Sequence, residues 1–427
     1  MLTMNKKIIL IIASVIFLTF LLGALIFYYF NLRGIGPAIG KAPADITKLI
    51  PGVETLKGDQ RVLANTDQIV APAKTNNATS PLRLPIGFSI GIFAKNLPDA
   101  RVMIFDSVGN IWLSQTGQGI VSKLTINKGK LIEQKVVLSG LKNPHGLAFD
   151  PQDPSILYVA EENKISKTVI TNGVASRLQK IIDLPTGGNH FSRTLGFGPD
   201  GRLYVSIGST CNVCLESDSR RAAIYSLNKD GSDWRQVAQG LRNSVFFIWN
   251  KADKMMWATD MGRDLLGDDI PPDEINIINT ASKSVLNFGW PICYGQNIHD
   301  TAFDKNVYFR NPCQAPFELP SHIDLQAHSA PLGLAFVPDN SSWPKEYKNN
   351  LLVAFHGSWN RSVPTGYKVV RLILDKSGNL VSQTDFISGW LTKGGAIGRP
   401  VDLIFDNSGA LYISDDKAGV IYKVFTP

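Results

Sequence analysis

The chain reads as an all-β protein, a six-bladed β-propeller preceded by one N-terminal transmembrane helix. Three observations predict this. One pattern recurs six times: a short apolar strand, a turn containing Asp, Asn or Gly, and a second strand rich in β-branched and aromatic residues. Helical periodicity is missing beyond the N-terminus. The N-terminus itself carries an uncharged run of 23 residues, Ile8 to Phe30.

That run comes first in the chain. At about 1.5 Å rise per residue it can cross a hydrocarbon core of roughly 30 Å. A secretory apolar region is normally shorter, which favours an uncleaved anchor over a signal peptide; cleavage after "GPAIGKAPA" is the alternative. Lys6 and Lys7 precede the run and Arg33 alone follows it closely, so the N-terminus is expected in the cytoplasm and the bulk of the chain outside, periplasmic or at the cell surface. Residues 1–30 are therefore an expected anchor. Residues 31–84, a mixture with little periodicity, read as a linker or stalk, and 85–427 as the propeller.

The six copies are "RVMIFDSVGNIWLSQTG", "GLAFDPQDPSILYVAEE", "LGFGPDGRLYVSIGS", "VFFIWNKADKMMWATDMG", "GLAFVPDNSSWPKEYKNNLLVAFHGS" and "VDLIFDNSGALYISDDKAG". A hairpin cannot bury both of its faces alone, so such units pack radially as blades. Early copies recur at about 45 to 50 residues, which suits a four-stranded blade. The longer fourth-to-fifth interval holds "NFGWPICYG" and reads as a large loop insertion over one face. The ring needs closing, and "FSIGIFA" before the first copy can pair with "GVIYKVF" after the last, which removes both edges.

The 43 basic and 36 acidic residues are interspersed, giving +7 without a basic run, so nucleic acid is not an expected partner. The four cysteines of an exported chain suggest disulfides, most simply Cys211–Cys214 and Cys293–Cys313. A zinc ribbon would need a second close Cys pair, and "CNVCL" lacks the His of a haem attachment.

Residues that a scaffold does not need cluster in the loops: His190, Arg193, Arg242, Asn243, Asp260 to Asp264, Asp273, His328, "HGSWNR" (His356 to Arg361) and Arg399. In that order they resemble the soluble quinoprotein sugar dehydrogenases, six-bladed propellers that bind pyrroloquinoline quinone (PQQ), and most closely the L-sorbosone dehydrogenase-like and pyranose dehydrogenase branch. The resemblance covers roughly Leu84 to Pro427. It implies His190, ahead of "GPDG", as catalytic base, and Arg242 and Asn243 of "GLRNS" at the quinone, with Arg242 also catalytic. It further implies Gly262 and Arg263 of "DMGRD" as main-chain ligands of a calcium ion, with Asp273 nearby. His328, His356, Trp359, Arg361 and Arg399 fall at cofactor-facing positions. Two departures put glucose in doubt as substrate: Val401 replaces the second Arg of the final-blade pair, and the family's cofactor Lys has no counterpart.

The chemistry agrees with the resemblance. A neutral imidazole can take a hydroxyl proton, a guanidinium can stabilise charge developing on a quinone oxygen, and arginines suit a tricarboxylate. The implied activity is oxidation of a sugar or sugar aldehyde, with electrons passed to an external acceptor, a quinone or a cytochrome. Simpler readings exist for each residue: a turn for His190, a loop cap for Arg242 and Asn243, core packing for Trp359, and a solvated face for Asp264, Asp268, Asp269, Asp273 and Glu274. Rival functions are a calcium-dependent lactonase or esterase propeller, and a propeller that only binds.

Overall fold

Each sequence repeat folds as the two innermost strands of a blade, and the turn between them shows why the repeat carries its Asp. In the first copy Asp106 Oδ1 accepts the backbone N–H groups of Val108 and Asn110 at 3.1 and 2.8 Å, while Oδ2 accepts Trp112 Nε1 at 3.1 Å. In the last copy Asp406 Oδ1 accepts those of Ser408 and Ala410, both at 2.9 Å. The carboxylate takes N–H groups that strand pairing leaves over. Gly109 and Gly409 follow at φ of 86° and 85°, where a side chain would be strained.

The computed structural model describes residues 6–55, 69–70 and 80–426. Residues 1–5 of the expected anchor, 56–68 and 71–79 of the expected linker, and Pro427 lie outside the described residues.

Six sheets follow one another round an axis. From the inside outward, the first blade is Ala100–Phe105, Ile111–Gln115, Ile120–Asn127 and Lys130–Leu138; the second is Leu147–Phe149, Ile156–Glu161, Lys164–Thr171 and Gln179–Asp183. The third is Leu195–Phe197, Leu203–Ile207, Ala223–Leu227 and Arg235–Gln239; the fourth is Phe247–Trp249, Met256–Asp260, Asp273–Ile278 and Ile323–Leu325. The fifth is Pro331–Phe336, Leu351–Phe355, Lys368–Leu374 and Leu380–Ile387. The sixth takes Pro400–Phe405, Leu411–Asp415 and Val420–Phe425 from the C-terminus and its outermost strand, Ser89–Ala94, from the N-terminal side. Ser89 faces Phe425 and Ile92 faces Tyr422 in that antiparallel pair, the closure the sequence suggested.

Second strands are buried along their whole length in the first, third, fourth, fifth and sixth blades, because neighbouring blades cover both of their faces. Their polar residues stitch the ring. Ser114 and Ser414 Oγ each accept an inner-strand N–H at 3.1 Å, from Val102 and Asp402. Across blades, Ser414 Oγ donates to the Arg101 carbonyl at 2.6 Å and Thr259 Oγ1 to that of Leu332 at 3.0 Å. Between the third and fourth blades Gly196 makes room for Phe247 and Trp249, whose ring atoms stand 3.0 Å from where its Cβ would be.

The long insertion falls between the third and fourth strands of the fourth blade. Its Leu286–Asn287 joins the outer edge of the third blade in parallel, opposite Ala238 and Gln239. Cys293–Cys313 closes it, and Cys211–Cys214 forms as well, the two pairings expected from sequence. Near the N-terminus, Leu10–Leu32 is apolar over 23 residues and none of it is buried against the propeller. The aperiodic stretch after it packs nonetheless: Ile46 and Ile50 join the core of Phe88, Ile90, Trp390 and Tyr422, and the Ile92 N–H donates to the Pro51 carbonyl at 2.7 Å.

Since the inner strand runs away from one end of the ring and the second strand returns to it, inner-strand starts and second-strand exits share a face, called here the upper face. The Asp-containing turns mark the lower one.

Ile421, fully buried in the last strand, should cost about 2–5 kcal/mol when changed to Ala. Ile132→Ala on an outer strand, where the residue is 62% exposed, should stay within about 0.5 kcal/mol. Urea unfolding of both variants measures the difference, and equal costs would contradict a closing blade packed on both sides.

Candidate active site

The loop before the third blade presents His190 because two buried arginines brace it from below. Arg193 is fully buried and donates through Nη1 to the carbonyls of His190 and Ser192 at 3.0 and 2.8 Å, and through Nη2 to that of Pro185 at 2.9 Å. Burial, with Arg221 beside it, pulls the Arg193 pKa down to about 9. Arg221 Nη2 donates to the Gly187 carbonyl at 2.7 Å. Gly188 sits at φ 82° with the Cα of Thr210 only 2.6 Å from where a Cβ would be, so this close approach admits only glycine.

The tautomer of His190 follows from its partners. Nδ1 lies 2.9 Å from both the carbonyl and the Oγ of Ser209, and Ser209 Oγ commits its own proton to the Cys211 carbonyl at 2.7 Å. A carbonyl only accepts, so Nδ1 carries the hydrogen and the Nε2 lone pair is left without a hydrogen-bond partner among the described residues. Burial first, then the Arg242 charge, lower the His190 pKa to about 3, and the ring is neutral.

Arg242 and Asn243 enter the upper face from the loop before the fourth blade. Asp260, at the exit of that blade's second strand, accepts their backbone N–H groups at 3.0 and 2.7 Å. Burial and the nearby Glu274 raise the Asp260 pKa. Gly208 brings His190 and Asn243 together, since a Cβ there would stand 2.7 Å from His190 Cβ and 2.6 Å from Asn243 Oδ1. The guanidinium of Arg242 is fixed along every edge. Nε donates to the Asn212 carbonyl and Nη2 to Asn212 Oδ1, both at 2.9 Å, Nη2 also pairs with Asp264 Oδ2 at 2.7 Å, and Nη1 reaches the Gly262 carbonyl at 2.9 Å. Asp273 holds the Gly262 N–H at 3.0 Å and that of Ala330 at 2.9 Å; burial lifts its pKa to about 7. Arg263 pairs with Asp300 of the insertion at 2.7 Å.

A second group gathers where the fifth, sixth and first blades meet. His356 Nε2 lies 2.9 Å from Asp416 Oδ1, Arg101 Nη1 2.8 Å from Asp416 Oδ2, and Arg399 donates to the carbonyls of His356 and Gly357. Burial, then Arg399, lower the His356 pKa to about 4. Burial opposes ionisation of Asp416, but His356, Arg101 and Arg399 outweigh it and hold its carboxyl below the usual range. A third group is the 267–269 loop: His328 Nε2 meets the Gly267 carbonyl at 2.6 Å, and Arg361 donates to the Asp268 carbonyl at 2.7 Å and to Asp269 Oδ1 at 2.6 Å. Trp359 is 39% exposed, so it is not a core residue. The acidic stretch is no plain solvated face either, because Asp273 and Glu274 are buried and Asp264 is paired.

A sequence profile described as TrAA12-like matches residues 82–426. The chain belongs to the TrAA12-like family. This bears out the resemblance to the quinoprotein sugar dehydrogenase propellers. The TrAA12-like chain is 34% identical to an uncharacterized protein of Borreliella burgdorferi, over 81% of this chain and 91% of that one. It is 24% identical to a pyrroloquinoline quinone-dependent pyranose dehydrogenase of Coprinopsis cinerea over 79% of this chain, and spans 54% of that relative's length. The holo form of the pyranose dehydrogenase PQQ domain from Coprinopsis cinerea superposes with a TM-score of 0.68 at 21% identity, covering 81% of this chain and 97% of that one.

Sequence reading misses Arg101, Ser209, Asn212, Arg221 and Asp416, all of which take part in this candidate site. Arg101 could have been found by laying the repeats over one another, since the second position of its inner strand is the buried apolar Leu332 in the fifth copy and Val401 in the last. Asn212 and Asp416 carry no local pattern; their roles come from loops of other blades.

His190 makes a pH prediction. Its pKa falls from 6.5 in the unfolded chain to about 3, so between those values the unfolded state holds a proton that the folded state lacks. The stability that goes with this difference is complete above about pH 6.5 and is lost as pH falls through the window. Denaturation midpoints from pH 7 to pH 4 should therefore drop more steeply for wild type than for His190→Gln; parallel curves would mean that His190 protonates normally.

Proposed function

We propose that this chain oxidises a sugar or sugar aldehyde with PQQ bound at the upper face, His190 serving as general base. One observation carries the reading: His190 is held neutral, with its Nε2 lone pair uncommitted, beside the fixed guanidinium of Arg242. The Coprinopsis cinerea relative supports it, being a pyrroloquinoline quinone-dependent pyranose dehydrogenase.

The donor set suits a tricarboxylate. Arg101 and Arg399 stand on one side of the upper face with His356 and Asp416, and Asn243 on the other beside Arg242, whose N–H groups are all spent on protein oxygens so that it acts through its charge. Arg399 spends Nε and Nη2 on carbonyls and keeps the hydrogens of Nη1 for a carboxylate. When bound, PQQ supplies the hydride acceptor. The substrate hydroxyl, for an aldehyde that of its hydrate, is oriented at His190 Nε2, which takes its proton, while Ser209 keeps Nδ1 protonated and the ring aligned. Anionic carboxylates would also offset the field of Arg242 and raise the basicity of His190 toward the working pH. The resemblance implies calcium at the carbonyls of Gly262 and Arg263; that of Gly262 also accepts from Arg242 Nη1 at 2.9 Å and keeps a second lone pair. No step of this reading runs through the calcium.

His328, Trp359 and Arg361 line the approach in this reading. The substrate is that of the sorbosone and pyranose branch, and the electrons leave to an external acceptor. The N-terminal helix anchors the chain, residues 1–30, with the propeller of 85–427 outside the cytoplasm, where its two disulfides persist.

PQQ titration beside steady-state kinetics tests the assignment on the full chain in detergent. His190→Ala should bind PQQ nearly as well as wild type and lose on the order of 10²- to 10⁴-fold in turnover with aldoses or sugar aldehydes and an artificial acceptor. Arg242→Ala should lose both affinity and rate. Full turnover in His190→Ala would remove His190 from the reaction.

A further inference from the structure

The apolar N-terminal helix and the candidate site meet at the same end of the propeller. The helix runs to Leu32, with Tyr28, Tyr29 and Phe30 in its last turns, and the chain touches the upper face at once. A Cβ on Gly34 would collide with the carbonyl of Arg361, in the loop leaving the second strand of the fifth blade. The short helix Gly36–Ile39 packs against Gly395–Ala396, just ahead of Arg399, and Lys417 Nζ donates to the carbonyls of Pro37, at 3.1 Å, and Gly40. Those contacts lie beside the second group of site residues.

The tether is short. From Phe30, where the aromatic edge marks a membrane boundary, to Gly34 is at most about 14 Å even fully extended. The lower face lies a strand length further away, roughly 20 Å. The two faces also differ in chemistry. Loops of the upper face expose Phe191, Leu215, Leu265, Ile270, Trp359 and Val363, with Leu215 74% and Val363 65% exposed. The turns joining inner to second strands on the lower face, "DSVGN", "GPDGR" and "DNSGA" among them, are polar apart from Val108, and those joining third to fourth strands add the exposed Val174 and Leu380. An apolar rim held within reach of a bilayer gains by burial in its interface, and the polar turns gain nothing.

We propose that the upper face is a membrane-docking surface: the propeller rests with its candidate site toward the lipid bilayer that its own helix spans. This rests on the anchor reading. The occupant of the apolar rim is then the lipid interface, and the site opens into the thin layer between propeller and bilayer, where substrate enters from the side and a lipid-dissolved acceptor has the shortest path.

Trp359 is the only tryptophan among the exposed large hydrophobic residues described, which makes it a reporter. The full chain is reconstituted into phosphatidylcholine vesicles with or without brominated acyl chains, and flotation and tryptophan emission are measured together. Expected are co-flotation, quenching by brominated lipid in wild type, loss of that quenching in Trp359→Phe, and no quenching of a tryptophan placed on the lower face by Val108→Trp in the Trp359→Phe background. Co-flotation with an unquenched Trp359, or with a quenched Val108→Trp, overturns the docking and leaves the anchor standing. A chain that fails to float with the vesicles overturns the anchor, and the docking with it.

Discussion

The pairing of Ser89–Ala94 with Val420–Phe425 is the contact on which the rest depends, since it turns a row of six sheets into a ring. Every inner strand then has a neighbour on each side, and the second strands can be buried on both faces. Only in a closed ring do the loops of the third, fourth, fifth and sixth blades and the first strand of the first converge on one mouth. An open row would separate Arg101 of the first blade from Asp416 of the sixth, although they stand 2.8 Å apart in the ring.

Within that mouth, charge is managed by division of labour. Arg193 and Arg221 are buried and spend donors on backbone carbonyls, and so hold a glycine-rich loop against the blade below it. Asp260, Asp273 and Asp415 do the matching work for N–H groups ahead of an inner strand: Arg242 and Asn243 before the fourth, Ala330 before the fifth and Arg399 before the sixth. Rigid backbone on both sides lets His190 and Arg242 keep one geometry without substrate present. The cost is that several ionisable groups are desolvated, and burial heads the causes of the shifts at His190, Asp260, Asp273 and His356.

Much of this was legible in the sequence because it is periodic. Strand alternation and a turn Asp repeat in each hairpin, with a Gly after the Asp in the first, third and sixth, so blade count and closing strands could be read from the sequence. His190, Arg242 and Arg399 stood out for a different reason, because each lies shortly before the inner strand of a blade in a loop that packing alone does not need. What stayed hidden is what depends on non-neighbouring loops. The hold of Asn212 on Arg242 spans 30 residues, and the pair of His356 with Asp416 spans 60. Ile46 and Ile50 look like linker residues because isolated apolar side chains show no period, yet the sixth blade has a place for both.

The closing strand also sets an order of events during synthesis. Ser89–Ala94 is among the first strands made, and its only partner in the sheet is among the last. Its edge must wait, exposed, through the translation of five complete blades, and the ring can lock only when Phe425 has left the ribosome. A strand tethered near a helix at one end and held open at the other is a site for chaperone capture, and any premature stop beyond the fifth blade leaves that edge permanently unpaired, a substrate for proteolysis or aggregation rather than a partly working protein.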